Sequence, residues 1–124
     1  MHRITSLRME HITKRFPGTL ACDDITLTVG EGEILALVGE NGAGKTTLMN
    51  ILMGLYQSDE GRILINGEEV RFKNPNDAFG AGLGMVHQQY MLIANMTVLE
   101  NIALGYKEAW SPLKLDLAKV RERI

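Results

Sequence analysis

Residues 39–47 read Gly-Glu-Asn-Gly-Ala-Gly-Lys-Thr-Thr, with three glycines and a lysine between two apolar segments. It follows a continuous apolar run at 34–38 and leads into residues 45–55, whose leucines and isoleucine recur at helical spacing. A continuous apolar run of this length is typical of a strand that is buried on both faces of a parallel sheet. We therefore predict a strand, a glycine-rich loop and a helix in direct succession.

The loop at 39–46 fits the pattern Gly-x-x-x-x-Gly-Lys-Thr of a phosphate-binding loop. Its glycines lack Cβ atoms, so backbone amides can adopt positive φ and approach an anion closely, and a following helix N-terminus attracts anions as well. We predict that Lys45 reaches the β- and γ-phosphates of a nucleotide, that the Thr46 hydroxyl holds Mg²⁺ and that Thr47 bonds the α-phosphate. The alternative, a glycine-rich turn with a surface lysine, is disfavoured by the strand and helix patterns that flank the loop.

Strand signals lie on both sides of this loop. Residues 4–16 and the alternating run at 24–29 predict two strands separated by the turn Pro17-Gly18. Asn66-Gly67 lies between two further strand-like runs and predicts a β-hairpin, because both central residues of a type I′ turn need positive φ. Residues 84–87 are a short apolar strand candidate.

Three short helices are predicted after the hairpin. The first covers residues 77–81. Thr97 and Glu100 form a capping box that opens the second, and Asp116 caps the third, over 117–124. Strands dominate the first third of the chain and a strand–loop–helix unit follows, so we expect an α/β fold with an N-terminal antiparallel β part.

The composition is that of an ordinary globular chain. The 124 residues contain 45% hydrophobic residues and carry a net charge of −2, which gives no support for nucleic-acid binding. Cys22 is the single cysteine, so no internal disulfide can form, and we expect a packed thiol in a reduced, cytoplasmic setting. No apolar run reaches the about 18 residues of a membrane-spanning helix.

Four stretches, in order, resemble the ATP-binding subunit of ABC transporters. Residues 12–16 resemble the segment whose aromatic residue, here Phe16, stacks on adenine, and the loop at 39–47 looks like the Walker A motif of that family. Residues 84–88 resemble the Q-loop, and 97–102 resemble part of the segment that follows it. The resemblance covers nearly the whole chain and implies a P-loop NTPase core.

The resemblance also implies ATP and Mg²⁺ as cofactors. Lys45 and Gln88 would be the catalytic residues, and Thr46 and Gln88 would contact the metal. On its own, Phe16 would be read as a core aromatic and Gln88 as a surface amide. His87 could suggest a metal ligand or a base, but the three histidines, His2, His11 and His87, lack the spacing of metal ligands, which disfavours that interpretation. The residues implied to bind the nucleotide are Phe16, Gly39, Asn41, Gly42, Ala43, Gly44, Lys45, Thr46, Thr47 and Gln88.

His87 before the glutamine, together with residues 95–101, looks like importers of simple sugars or nucleosides. This implies a transmembrane permease that contacts the chain between Tyr90 and Met96, a second ATP-binding subunit or domain, and a peripheral location on the cytoplasmic face of the membrane. The apolar residues there either dock a permease helix or pack in the core; they are Met91, Leu92, Ile93 and Met96.

Three motifs of that family have no counterpart in the sequence. They are the Leu-Ser-Gly-Gly-Gln-like signature, the apolar strand ending in Asp-Glu called Walker B, and the later switch histidine of the H-loop. We therefore expect residues 1–124 to be the N-terminal part of one ABC nucleotide-binding domain. This part would bind ATP without hydrolysing it, because no residue is present to orient the attacking water as a base.

Three alternatives differ in class. A soluble ABC-type ATPase with no role in transport should lack the apolar segment after the Q-loop. A nucleotide-binding module without hydrolysis fits this chain on its own. A small-molecule kinase would need a lid for its acceptor substrate, and no such segment can be recognised.

Overall fold

The computed structural model describes residues 3–87, 92–105, 110–111 and 114–122. The chain divides into two units, Met1–Met85 and Val86–Ile124. The glycine-rich loop belongs to the first unit, and the helices predicted after residue 97 belong to the second.

The first unit is built on a four-stranded antiparallel sheet in the order β2-β1-β3-β4. Its strands are β1 (Ser6–Phe16), β2 (Thr19–Gly30), β3 (Glu60–Ile65) and β4 (Glu68–Val70). The predicted strands at 4–16 and 24–29 are confirmed. The second is longer than predicted because it pairs with β1 along its whole length, from Gly30 opposite Ser6 to Thr19 opposite Phe16.

The turn between β3 and β4 is the predicted hairpin turn. Asn66 has a φ of 53° and Gly67 a φ of 82°, so both central residues adopt the positive φ that a type I′ turn needs. The Asn66 side-chain oxygen also accepts the backbone N–H groups of Thr5 and Ser6, at 2.7 and 3.2 Å. The hairpin is therefore tied to the start of β1.

Two helices belong to the first unit, α1 (Lys45–Leu52) and α2 (Pro75–Ala81). The first begins where the sequence predicts but ends before residue 55, because Gly54, with φ 71°, passes so close to Phe72 and Asn74 that no Cβ would fit. The second begins earlier than predicted, since Asn74 caps it and Pro75 occupies the first turn, where no amide hydrogen is needed.

The core of this unit lies between α1 and one face of the sheet. Leu48 and Ile51 lie about one helical turn apart and are only 1% and 3% exposed. They share a buried cluster with Met9 and Ile12 of β1, which are fully buried. Burial of a side chain of this size stabilises the fold by about 2 kcal/mol, so α1 and the loop before it are held against the sheet.

Asp59 fastens the end of β1. Its carboxylate accepts the Arg15 backbone N–H at 2.6 Å and the Lys14 ammonium at 3.2 Å, and its own N–H donates to the Thr13 carbonyl at 2.8 Å. The three residues held in this way directly precede Phe16. The position of Phe16 therefore depends on a contact between residues more than 40 positions apart in the chain.

Two predicted strands are wrong. Neither 34–38 nor 84–87 is a strand, and the exposed fractions of Ile34, Val38 and Val86 are 97%, 91% and 97%. A strand in a parallel sheet needs hydrogen-bonded neighbours on both sides, whereas the four strands of this sheet pair only with one another. Apolar character favours burial, but a strand forms only beside partners, which the described part of the chain does not supply here.

The second unit contains α3 (Val98–Ala103) and α4 (Leu117–Arg121), together with a two-stranded ladder of β5 (Trp110–Ser111) and β6 (Lys114–Leu115) that was not predicted. Ala103 and Val120 form the buried contact between its helices. Among the described residues, no helix has the length and apolar character needed to span a membrane.

Both predicted helix caps of this unit are confirmed. The Glu100 N–H donates to the Thr97 hydroxyl at 3.3 Å, and the Thr97 N–H donates to the Glu100 carboxylate at 2.7 Å. The backbone N–H of Thr97 therefore lowers the pKa of Glu100, with its hydroxyl adding to the effect. At the last helix, the Asp116 carboxylate accepts the Ala118 N–H at 3.2 Å.

We expect Asp59→Asn to lower the melting temperature at neutral pH by a few degrees, because a neutral amide oxygen accepts hydrogen bonds less strongly than a carboxylate. The Arg15 N–H, followed by the Lys14 ammonium, lowers the pKa of Asp59. A lowered pKa stabilises the fold above the ordinary aspartate range, near pH 4, and this contribution is lost as the pH falls through the folded-state pKa. Thermal denaturation of both proteins between about pH 7 and about pH 3 should show the difference shrinking at low pH.

Glu60→Gln is the matched control, since Glu60 pairs with Arg15 at 2.8 Å while its side chain is 61% exposed. An ion pair this exposed contributes little, so the variant should melt close to the wild type. A difference between Asp59→Asn and the wild type that persists unchanged at low pH would contradict the role given to the carboxylate.

Candidate phosphate-binding site

Gly44 fixes the glycine-rich loop against the sheet. It precedes α1 with a φ of 90°, in the left-handed region, and a Cβ at this position would overlap the backbone carbonyl oxygen of Ala21 in β2. The Cys22 thiol lies behind it and donates weakly to the Gly44 carbonyl at 3.8 Å. The last glycine of the loop is therefore required by close backbone approach as well as by φ.

Cys22 behaves as the packed residue that the sequence predicts. It is 1% exposed, and burial raises the pKa of its thiol. A neutral thiol in this position fills space behind the loop. Sequence patterns gave no sign that Ala21 and Cys22 of β2 pack directly against the end of the loop.

Lys45 closes the loop on itself. Its ammonium donates to the carbonyl oxygens of Gly39 at 2.5 Å and Glu40 at 2.7 Å. The Ala43 N–H donates to the Glu40 carbonyl at 3.1 Å, which completes a tight turn. The positive charge is thus held at the mouth of the loop by its first two residues.

The start of α1 presents unpaired backbone donors. Within the part of the chain that the structure describes, the N–H groups of Gly42, Gly44, Lys45 and Thr46 have no protein acceptor, as expected at a helix N-terminus. A Cβ placed on Gly42 would meet no atom within 4 Å, so the space beside Gly42 is open. Several amides, one ammonium and the helix dipole converge here, a donor set that fits a polyphosphate.

Mg²⁺ would bind here only in company with phosphate oxygens, because N–H groups and an ammonium cannot ligate a cation. The Thr46 side chain is exposed and offers one hard oxygen ligand, which suits this cation. Among residues 3–87, 92–105, 110–111 and 114–122, no cluster of three or more His, Cys, Asp or Glu could hold a metal by itself. Any magnesium at Thr46 would take most of its other ligands from the nucleotide and water, as this ion usually does.

Phe16 lies at the end of the hairpin that backs the loop. In the register of β1 and β2, Lys14 pairs with Cys22 and Phe16 with Thr19, so Phe16 sits a few residues from the part of β2 behind Gly44. Its ring is half-buried and meets the ring of Tyr56. Sequence patterns missed Tyr56, because its contact with Phe16 joins distant parts of the chain.

The residues singled out between positions 87 and 91 are either exposed or outside the described part of the chain. Gln88, Tyr90 and Met91 lie outside the described residues, so the roles given to them stay predictions. His87 is exposed, with no metal-binding cluster in the described part of the chain.

The apolar side chains that the structure describes between residues 92 and 96 are at the surface. Leu92, Ile93 and Met96 are 70%, 40% and 37% exposed, so these three do not pack in a core. Asn101 shapes the segment: its side chain donates to the carbonyls of Ile93 and Met96, each at 3.2 Å, and accepts the Ile93 N–H at 2.8 Å. The sequence patterns did not reveal this role.

Comparison of the sequence with known protein families gives a match that includes the glycine-rich loop and the segments on both sides of it. Residues 22–124 match the family described as ABC transporter, a range that covers most of the chain. The chain belongs to the ABC transporter family. The glycine-rich loop, which begins at Gly39, lies inside the matched range.

Curated relatives in this family are much longer than the chain. It is 54% identical to a glucose import ATP-binding protein of Haloferax volcanii over 116 residues, which cover 94% of the chain and 21% of the relative. It is 56% identical to a guanosine import ATP-binding protein of Bacillus subtilis, with 80% and 19% covered. A ribose import ATP-binding protein of Burkholderia thailandensis is 54% identical, with 82% and 20% covered. The chain spans about a fifth of the length of these relatives.

Solved structures of ABC proteins share the fold. A nucleotide-free ATP-binding cassette from an ABC transporter superposes with a TM-score of 0.74 at 34% identity, covering 86% of this chain and 43% of that one. An ATP-binding cassette in its ADP conformation gives 0.72 at 33% identity, covering 85% and 41%. The predicted P-loop NTPase class, with its antiparallel β part, is confirmed.

Two glycines of the loop give a matched pair of substitutions. Gly42→Ala adds a Cβ at φ 88° in open space, so we expect only the conformational cost of about 1–2 kcal/mol. Gly44→Ala adds the same atom at φ 90° but against Ala21, so overpacking should cost about 1–3 kcal/mol more. Urea denaturation of the two variants and the wild type measures the difference in the free energy of unfolding. Equal destabilisation by the two substitutions would contradict the close contact between Gly44 and β2.

Proposed function

We propose that this chain is the ATP-binding part of an ABC transporter ATPase that couples ATP binding and hydrolysis to solute import. The observation that carries the proposal is the loop itself, in which unpaired amides and the Lys45 ammonium converge beside a helix N-terminus. Polyphosphate is a dense cluster of anions and needs many donors within a small radius. Loops of this kind occur in proteins with several functions. Membership of the ABC transporter family favours ATP-driven transport among them.

Each residue of this site would contact a different part of the nucleotide. Lys45 exchanges its bonds to the Gly39 and Glu40 carbonyls for bonds to the β- and γ-phosphate oxygens, which carry charge and bind an ammonium more strongly. The Thr46 hydroxyl would be one protein ligand for magnesium, an ion that would neutralise charge on the phosphates. Thr47 bonds the α-phosphate, and Phe16 stacks on the adenine.

The remaining nucleotide contacts follow the same motifs. Gly39, Asn41, Gly42 and Ala43 would line the phosphates with backbone groups. Gln88 would contact magnesium or the attacking water and sense the membrane subunit.

Hydrolysis needs a base that this chain does not provide. The sequence has one Asp-Glu pair, Asp59-Glu60, and these carboxylates bind Lys14 and Arg15 at the end of β1. Both carboxylates are engaged in ion pairs with β1, and the sequence has no apolar run that ends in such a pair. By itself, then, the chain binds ATP and hydrolyses it negligibly.

A sugar or a nucleoside is the solute class that the relatives support, since their names specify glucose, guanosine and ribose import. The transmembrane permease would contact the exposed apolar segment that ends at Met96, and a second ATP-binding subunit or domain would complete the catalytic site. Docking on the permease would hold the protein at the cytoplasmic face of the membrane.

Lys45→Ala should weaken binding of Mg-ATP by about 10- to 100-fold, the value of one or two charge-assisted hydrogen bonds. Isothermal calorimetry on the purified chain measures the change. Lys73→Ala removes an exposed lysine elsewhere in the first unit and should bind ATP as the wild type does. Equal affinity of all three proteins would reject the phosphate site, and steady ATP turnover well above the Lys45→Ala level would reject the absence of hydrolysis.

The import proposal is tested in the transporter that carries this chain. Leu92→Asp places a charge on the proposed permease contact and should reduce ATP-driven uptake of sugars or nucleosides by at least about tenfold, because a buried unpaired charge is costly in an interface. Phe79→Asp, at a side chain 50% exposed on α2, is the control and should retain uptake. Failure of the wild type to move either solute class would contradict the solute assignment, and normal uptake by Leu92→Asp would contradict the contact.

A further inference from the structure

We propose that Tyr56 is a positioning residue for the nucleobase, which holds the Phe16 ring in a fixed orientation beside the phosphate-binding loop. The inference rests on the proposed function, in which Phe16 stacks on adenine. It adds a residue that no motif of the sequence assigns to the site.

The contact between the two rings is edge-on. Their centroids lie 5.4 Å apart and their planes meet at 75°, the T-shaped arrangement that aromatic quadrupoles favour. The Lys14 ammonium lies 5.4 Å from the Phe16 centroid and is itself held by Asp59 at 3.2 Å. Phe16 therefore has an aromatic partner and a cationic partner, which together restrict its rotation.

Tyr56 is itself fixed by the turn that ends α1. Its backbone N–H and that of Leu55 both donate to the Asn50 carbonyl, at 3.2 and 2.9 Å. The next side chain, Gln57, donates to the Phe72 carbonyl at 2.6 Å, so the turn is tied to the core as well. A side chain on such a turn can hold another ring in place.

The helix α1 joins the two ends of the proposed site. Its first turn follows the phosphate-binding loop, and Tyr56 lies just beyond its last turn. Eight helical residues rise about 12 Å, a separation of the kind that an extended nucleoside triphosphate spans. One rigid element would thus set the distance between the phosphates and the aromatic pair.

The exposure of Tyr56 argues against a role in packing alone. Its side chain is 40% exposed and stands outside the buried core cluster, whereas the core aromatic Phe72 is 6% exposed. A ring left at the surface on a rigid turn, in contact with a second half-buried ring, is suited to a ligand with an aromatic face. Restricting Phe16 before the base arrives lowers the entropy cost of stacking.

The test compares ATP with inorganic tripolyphosphate, which has phosphates but no base, by calorimetry on the purified chain with Mg²⁺. Tyr56→Ala should raise the Kd for ATP about fivefold, in the range of one aromatic pair, and leave the Kd for tripolyphosphate unchanged. Tyr56→Phe keeps the ring and should restore wild-type affinity for ATP. Phe79→Ala, which removes an exposed ring from α2, should bind both as the wild type does.

The outcomes separate this inference from the proposed function. If Phe16→Ala weakens ATP binding and Tyr56→Ala does not, only the role of Tyr56 is overturned. Equal weakening of ATP and tripolyphosphate by Tyr56→Ala would show a general structural role and overturn it too. A wild-type chain that binds neither ligand rejects the phosphate site and this inference together. If Tyr56→Ala unfolds, Tyr56→Leu removes the aromatic ring but keeps a large side chain. It should likewise raise the Kd for ATP and leave the Kd for tripolyphosphate unchanged.

Discussion

The site depends on one close approach, that of Gly44 to the Ala21 carbonyl of β2. Because no Cβ fits between them, the loop can sit this near to the sheet only with glycine at its last position. The left-handed φ of Gly44 then directs the chain into α1, with Lys45 as the first helical residue. Loop, lysine and helix axis are placed together by a single backbone contact, and the Cys22 thiol fills the space behind it.

The antiparallel sheet supports that contact from two directions. Leu48 and Ile51 press α1 onto β1 through apolar burial, while the pairing of β1 with β2 positions the carbonyl that Gly44 meets. Asp59 adds a polar tie at the far end of β1, next to Phe16. Phosphate donors and the aromatic pair thus share one support, so motion of β1 relative to α1 would disturb both ends of the site at once.

Sequence patterns predicted the features that short-range chemistry determines. The turn at Asn66-Gly67 needs two positive φ angles and the cap at Thr97 needs a glutamate three residues later, so both can be read within a few positions. The glycine-rich loop that leads into α1 belongs to the same class. Its glycines, its lysine and the helix after it act within one turn of the chain.

The failed predictions and the missed residues depend on long-range partners. The apolar run at 34–38 has the composition of a buried strand, yet strand formation requires neighbouring strands, and composition does not specify them. Tyr56 and Asp59 have no motif, since their contacts with Phe16 and Arg15 join residues about 40 or more positions apart. Local pattern therefore identifies the glycine-rich loop but cannot identify the aromatic contact between Phe16 and Tyr56.

The electrostatics of the loop are compatible with the proposed role of Lys45, although its ammonium is held by backbone carbonyls. The Gly39 and Glu40 carbonyls are neutral acceptors at the solvent-exposed edge of the loop, so the ammonium retains part of its affinity for a stronger partner. Hydrogen bonds to charged phosphate oxygens are about twice as strong as bonds to neutral groups. Because these carbonyls already hold the side chain over the loop, little rotamer entropy remains to be lost on binding. Because the Lys45 ammonium is already held over the loop, exchanging its carbonyl hydrogen bonds for phosphate hydrogen bonds would cost less entropy.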